Sequence, residues 1–477
     1  MAPRLCQPLP MHDRRHFLSG AAGGFAACML AGGGHTWAES LAPDPATPLA
    51  PKAPHFPPRA KRLLFLFMLG GPSQPDLFDY KPKLQELDGQ PVPESVLAGM
   101  QFAQIQEKRP NLLGTRYRFA RHGQSGTELS ELLPHLAGVV DDLTILKAVK
   151  ATEIPHHPAE VFMHTGTRVF GRPSLGAWLT YGLGSESDVL PGFVVLQSGM
   201  RPRTKGSIYA SGFLSSTYQG VPLREAGEPI LNLRSPRGVT DEQQARLVGA
   251  VTHLNDLRAP HAGDAEIDAR SAAYRLALRL QASAPEAVDL GRETAEALRL
   301  YGADGADSGF ARNCLLARRL LERGVRCVQL THGDWDHHGD LGVRLPALCR
   351  QTDRACAALL TDLKRRGLLE DTLVVYGGEF GRTAVGQVNP TGAVGRDHQI
   401  AAFTMWLSGG GMKAGITLGE TDELGCYPVS GSISIHDLHA TILSLLGLDH
   451  QRLTYRHQGR DVRLTDVEGR VVPEIIG

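Results

Sequence analysis

The sequence predicts an α/β fold with a central, mainly parallel sheet flanked by helices. Three observations predict it. Apolar runs of strand length recur at 62–69, 143–146, 193–196, 325–330, 372–376 and 403–407; the longest are continuous, not alternating, as in strands covered on both faces. Helical patterns at 310–323 and 345–366 precede the runs at 325–330 and 372–376, which makes a β–α–β crossover and parallel strands. Polar residues able to do chemistry gather where the runs give out, the edge at which open α/β sheets build their sites.

Composition agrees with a soluble globular chain. Of 477 residues 42% are hydrophobic and 21% charged, and Lys+Arg and Asp+Glu both number 50. The net charge of zero gives no global field toward nucleic acid or an anionic membrane surface.

The N-terminus reads as an address. Asp13-Arg14-Arg15-His16-Phe17-Leu18 precedes a Gly/Ala-rich apolar stretch at 19–34 and then Thr36-Trp37-Ala38, similar to a twin-arginine export signal over 1–38. A periplasmic or secreted protein is expected, with a lipid anchor at Cys28 as the second reading. The stretch is short and glycine-broken for a membrane span. A Pro/Ala-rich linker is expected over 39–60 and one α/β domain over 61–477. Five cysteines follow the signal, Cys314, Cys327, Cys349, Cys356 and Cys426, an odd set with no disulfide framework.

In chain order, the 62–69 strand ends in Gly70-Gly71-Pro72-Ser73-Gln74-Pro75-Asp76, where the glycines permit a tight turn. Residues 81–124 lack periodicity and read as a surface excursion. Leu129, Leu132, Leu133 and Leu136 give helical spacing over 128–140. The 143–146 strand leads to Glu153-Ile154-Pro155-His156-His157, with short helices over 159–164 and 174–181. An Ala/Leu-rich helical layer covers 264–301, and Gly324 and Gly367 stop the helices before the two central strands. A Gly/Asn-rich loop separates Gly378-Glu379-Phe380-Gly381-Arg382-Thr383 from Gly395-Arg396-Asp397-His398, and 435–446 is a final helix.

The densest chemistry is Thr331-His332-Gly333-Asp334-Trp335-Asp336-His337-His338-Gly339-Asp340, with three aspartates and three histidines at a strand end. Carboxylates and imidazoles converging there suit a divalent ion; the alternative is a solvated polar loop. Because 325–330 and 372–376 run parallel, Glu379 and the 395–398 segment share that edge.

The order Asp334-x-x-x-His338, Glu379, His398 resembles the metal-binding core of the alkaline phosphatase superfamily, which includes sulfatases. Leu69-Gly70-Gly71-Pro72-Ser73, Gly378-Glu379-Phe380-Gly381-Arg382-Thr383, Gly395-Arg396-Asp397-His398 and Cys314-Leu315-Leu316-Ala317-Arg318-Arg319-Leu320 are similar to signatures of a bacterial family, DUF1501, over about residues 60 to 465. The resemblance implies an alkaline phosphatase-like fold. It implies one metal site of Asp334, His338 and His398, with a position left for water or substrate. It implies a second, altered site, with Glu379, Asp76 from the loop, and His156 or His157. Phe380 stands where a histidine ligand would be, and Gly70–Gly71 where a strand-end aspartate would be.

The expected metal is zinc or manganese. Ser73 is a nucleophile candidate, or a helix cap; Arg382 and Arg396 are candidate anion clamps, or partners of Glu379. His156 and His157 read as supporting residues, and Asp336 and His337 as alternates. The function expected is an exported metal-dependent hydrolase of a small anionic ester or a sulfated or phosphorylated glycan. The alternative is a non-catalytic binding or envelope-complex protein that keeps the scaffold.

Overall fold

A computed structural model describes residues 48–477 except 225–234, 236–237, 263–264 and 306–307. The signal segment and Cys28 lie outside the described residues. No helix among the described residues is long and apolar enough to cross a membrane.

The apolar runs form one nine-stranded sheet. Its order is Ile416–Leu418, Leu143–Lys150, Phe403–Ser408, Thr372–Gly377, Arg62–Met68, Cys327–His332, Phe193–Ser198 and Val221–Pro222, with Ile433–Ser434 also paired to Leu143–Lys150. The strands from 372 to 222 in this order are mutually parallel. Phe403–Ser408 alone runs against its two neighbours. The Cys327–His332 and Thr372–Gly377 strands are parallel, as the crossover requires, but Arg62–Met68 lies between them. It is the central strand, so it is buried on both faces, which explains its unbroken apolar run.

Side chains leave the sheet alternately. Leu64, Leu66 and Met68 pack with the helices Gly309–Glu322 and Leu341–Arg365, through Leu315, Leu320, Leu345 and Leu359. Leu63, Phe65 and Phe67 pack on the other face with Trp178, Leu438 and Ile442 from the helices Leu175–Leu183 and Ile435–Leu445. The result is a sheet between two helical layers.

Four expectations meet a different local structure. The helix expected over 128–140 is a hairpin strand, Thr127–Ser130, followed by a four-residue helix, Pro134–Ala137. Pro134 lacks the N–H an interior helical position needs, so a helix can begin there but not run through it. The 81–124 excursion has its own small core, in which Leu84, Val92 and Leu112 pack on Val385 and Cys426. The Gly/Asn-rich loop is the turn of a hairpin, Gly381–Val388 paired with Val394–Gln399. Segment 48–60, read as linker, is tied down where described: Lys52 N–H donates to Leu183 O, and Arg59 and Ala60 N–H to Leu445 O.

Candidate metal centre

Three elements deliver the site to the carboxyl edge of the central strands. The helix His156–Thr165 starts six residues after the end of Leu143–Lys150 and ends at Gly166, whose φ of 68° closes the last turn. The loop after Cys327–His332 carries the Asp/His cluster. The 381–399 hairpin folds over it, and Gly395 allows the approach, since a Cβ there would stand 2.3 Å from His337 O.

One ligand atom each from His156, Asp336, His338 and His398 lies within 4.8 Å of the others. The Asp336 carboxylate is the centre. Its Oδ1 is 2.9 Å from His338 Nε2 and 3.4 Å from His398 Nε2, and its Oδ2 is 3.1 Å from His156 Nε2. His338 Nε2 and His398 Nε2 are 3.0 Å apart. The Asp336 and His338 side chains keep 15% and 14% exposure, so the group opens to solvent.

Each imidazole is held from behind through Nδ1. His156 Nδ1 donates to Glu379 Oε1 at 2.7 Å. His398 Nδ1 donates to Ile154 O at 2.8 Å. Gln387 spends its Nε2 donor on Gln104, so its Oε1 accepts from His338 Nδ1 at 2.6 Å. A proton fixed on each Nδ1 leaves His338 and His398 able to turn an Nε2 lone pair to the common point, and His156 able to do so once its second proton is lost. Phe380 explains its own place here: it is buried and stacks on His398 with 4.2 Å between centroids, and lies tilted on His156 at 5.0 Å. It cannot bind a metal, but it walls the two rings.

Electrostatics agree. Burial opposes the Asp336 charge, but the three imidazoles gathered round it and the Arg382 charge outweigh it and hold the carboxyl well below its usual range. Burial also opposes a charged His156, yet Asp336 and Glu379 raise it to about 9. Burial, Arg382 and His156 lower His398, against the pull of Asp336. Burial and the Glu379 charge push Glu160 up to about 7. Three imidazole nitrogens and one carboxylate are the donor chemistry of a borderline divalent ion, so these residues fit a metal.

A second group, His156, Glu160 and Glu379, adjoins the first through His156. Glu379 accepts from Gly70 N–H with both oxygens, at 3.0 and 3.1 Å. Gly70 has φ of 113°, and a Cβ there would stand 2.5 Å from Asp336 N. That close approach is why glycine, not aspartate, ends the central strand.

The structure brings together the expected His338 and His398 and sets Glu379 beside them. It places Asp334, Asp76, Ser73 and Arg396 elsewhere, and turns Arg382 onto Asp336 from inside the protein. Asp334 has φ of 81°, and its carboxylate turns away to accept from Met200 N–H at 3.1 Å; Asp336 stands in its stead. The buried Asp76 takes Arg396 with both oxygens, at 2.8 and 3.2 Å, and Ser73 Oγ at 2.6 Å. Ser73 is therefore fully buried on a carboxylate, neither a presented nucleophile nor a side-chain cap. Arg396 also donates to Leu113, Thr383 and Gly114 carbonyls. Arg382 donates to Gly70, Gly71, Trp335 and Arg396 carbonyls and to Asp336 Oδ1 at 2.6 Å. Both guanidiniums are fully buried and spent inside the protein; they fasten loops and do not clamp an anion.

His156 and Glu160 were undervalued in the sequence. Their signal is His156-x-x-x-Glu160 at the start of a helix that follows a strand, which puts both on one face.

No curated protein matches the chain. Among solved structures it is loosely similar to the lipoteichoic acid synthase LtaP from Listeria monocytogenes, at 10% identity and a TM-score of 0.37, over 86% of this chain and 76% of that one. It is similar at the same level to the PsFucS1 sulfatase from Pseudoalteromonas sp., at 11% identity and 0.36, over 82% and 68%. The alkaline phosphatase from the Antarctic bacterium TAB5 follows at 10% identity and 0.31, over 81% and 98%. A family described as a protein of unknown function, DUF1501, matches residues 60–476. The match runs from the central strand to the tail, and the chain belongs to the DUF1501 family.

Proposed function

We propose that the protein is an exported, metal-dependent hydrolase of phosphate or sulfate esters. One observation carries the reading. Three buried or half-buried imidazoles each rest an Nδ1 on an oxygen and aim an Nε2 at Asp336.

In this reading Asp336, His338 and His398 hold zinc or manganese, two imidazoles and one carboxylate, leaving a position for substrate. The bound ion supplies Lewis acidity toward an ester oxygen. His156, backed by Glu379, faces the same position and is placed to give a proton to the leaving oxygen. Arg382 keeps Asp336 charged and oriented. Phe380 keeps water from behind the rings. The ester class rests on the likeness of the strand-end pattern to phosphatases and sulfatases.

The presence of four donors favours a second reading. If His156 is also a ligand, the shell closes tetrahedrally and the metal is structural, in a non-catalytic binding protein. His156→Gln separates the two. The hydrolase reading expects retained metal and loss of turnover of 4-nitrophenyl phosphate or sulfate by at least about a hundredfold. Loss of metal along with His156 supports the closed site, and a wild-type protein that turns over neither ester contradicts the hydrolase.

A further inference from the structure

We propose that residues 101–109 form a strap whose docking is linked to occupancy of the metal centre. The docked strap sets the two ligand histidines, and a bound ion in turn holds the strap down. The proposal rests on the reading of Asp336, His338 and His398 as ligands, and not on which ester is cleaved.

The strap has almost no framework of its own. It runs between Met100, whose N–H donates to Leu97 O, and Pro110, whose carbonyl accepts from Val92 N–H. Between those points, among the described residues, no backbone group bonds another backbone group. Phe102 and Ile105 are half-buried against the small core that includes Leu112, Val385 and Cys426; the other residues of the strap are exposed. Its polar ties all run to the hairpin that carries the site. Gln104 and Ile105 N–H both donate to Asp397 Oδ2, at 2.8 and 2.9 Å. Gln104 Oε1 accepts from Gln387 Nε2 at 3.2 Å. Water can replace each of these bonds on release, so the docked state is only modestly favoured.

Both ties end on groups that position a ligand histidine. Asp397 is fully buried, and its other oxygen, Oδ1, accepts from His398 N–H at 2.8 Å. One carboxylate therefore joins the strap to the backbone of His398. Gln387 Oε1 accepts from His338 Nδ1 at 2.6 Å. An ion needs a lone pair on His338 Nε2, hence the proton on Nδ1, hence an acceptor at Gln387 Oε1. The Gln387 amide keeps that oxygen toward His338 while Gln104 Oε1 accepts from its Nε2. With the strap released, the amide is free to turn and offer Nε2 to His338 Nδ1. The imidazole proton then sits on Nε2, the atom the ion needs. Binding equilibria are reciprocal, so whatever affinity the docked strap gives the ion, the ion returns to docking.

The test is amide hydrogen exchange of the full protein, zinc-loaded and chelator-stripped, together with the zinc affinities of Gln104→Ala and Gln104→Glu measured against a metallochromic indicator. Gln104 is exposed, so neither variant disturbs the core. The proposal expects the Gln104 and Ile105 amides to exchange on the order of tenfold more slowly in the zinc-loaded protein. It expects Gln104→Ala to lower zinc affinity on the order of tenfold, and Gln104→Glu, which still accepts from Gln387 Nε2, to keep the wild-type affinity. Three results overturn the strap and leave the metal centre standing: zinc bound with unchanged exchange at the two amides, Gln104→Ala equal to wild type, or Gln104→Glu as weak as Gln104→Ala. A wild type that binds no zinc refutes the centre and the strap with it. No arm reads turnover, so the outcome is independent of the ester hydrolysed.

Discussion

His338 Nε2 and His398 Nε2 face each other at 3.0 Å, with an oxygen acceptor behind each ring. With the Nδ1 protons fixed, two lone pairs confront one another unless a proton or cation lies between them. Bonds of about 2.0–2.1 Å from an ion to each nitrogen suit that separation. The first prediction concerns the residue that sets one side of it. Gln387→Leu frees the His338 ring and is expected to lower metal affinity by about 10–100-fold without removing a ligand. Competition against a metallochromic indicator measures this, and an unchanged affinity means Gln387 does not orient the ring.

The choice between Asp334 and Asp336 is equally open to test. Asp336→Asn is expected to abolish stoichiometric metal binding, because its oxygens meet all three imidazoles. Asp334→Asn is expected to keep the metal, since that carboxylate turns away from the imidazoles to accept from Met200 N–H. Metal analysis of both variants decides; the opposite pattern would restore Asp334 as the ligand.

Arg396 and Asp76 form a buried bidentate pair. Asp76→Ala leaves a buried guanidinium without its carboxylate and is expected to cost roughly 3–5 kcal/mol, read as a lower denaturant midpoint. A substrate clamp would instead change KM and leave the midpoint alone.

Acid sensitivity has an identified source. Burial lowers His164 to about 4 and His439 to about 3, against about 6.5 in an unfolded chain. Between about pH 6.5 and those values the unfolded chain takes up protons the fold refuses, so stability falls as pH falls; above about pH 7 these two groups contribute no slope. His439→Gln is expected to remove close to one proton from that dependence. Unfolding midpoints from pH 8 to 4.5 check it, and an unaltered slope contradicts the assignment.

Most of the fold was legible, because continuous apolar runs with glycine-stopped helices between them leave few topologies. The hairpin that carries Gln387 and His398 was not. Its strands, Gly381–Val388 and Val394–Gln399, are glycine-rich and polar, since Gln387 and His398 face the site and Ala384 and Val385 supply the apolar contacts. In the site, histidines 338 and 398 were singled out by the resemblance of the strand-end order to the alkaline phosphatase superfamily. Asp336 was not separable from Asp334, because the choice depends on a backbone reversal: Gly333 packs against Met200 and Asp334 takes a positive φ. His156 was discounted because nothing local shows that Glu379, 223 residues away, supports it. Arg382 and Arg396 read as anion clamps because their carbonyl partners carry no sequence signal.

The central claim is the metal centre, and the ion count tests it most directly. Protein purified without chelator, or reloaded with zinc or manganese and desalted, should hold close to one tightly bound ion per chain by elemental analysis, and the Asp336→Asn variant close to none. Less than one ion per several chains after reloading with either metal would contradict the account.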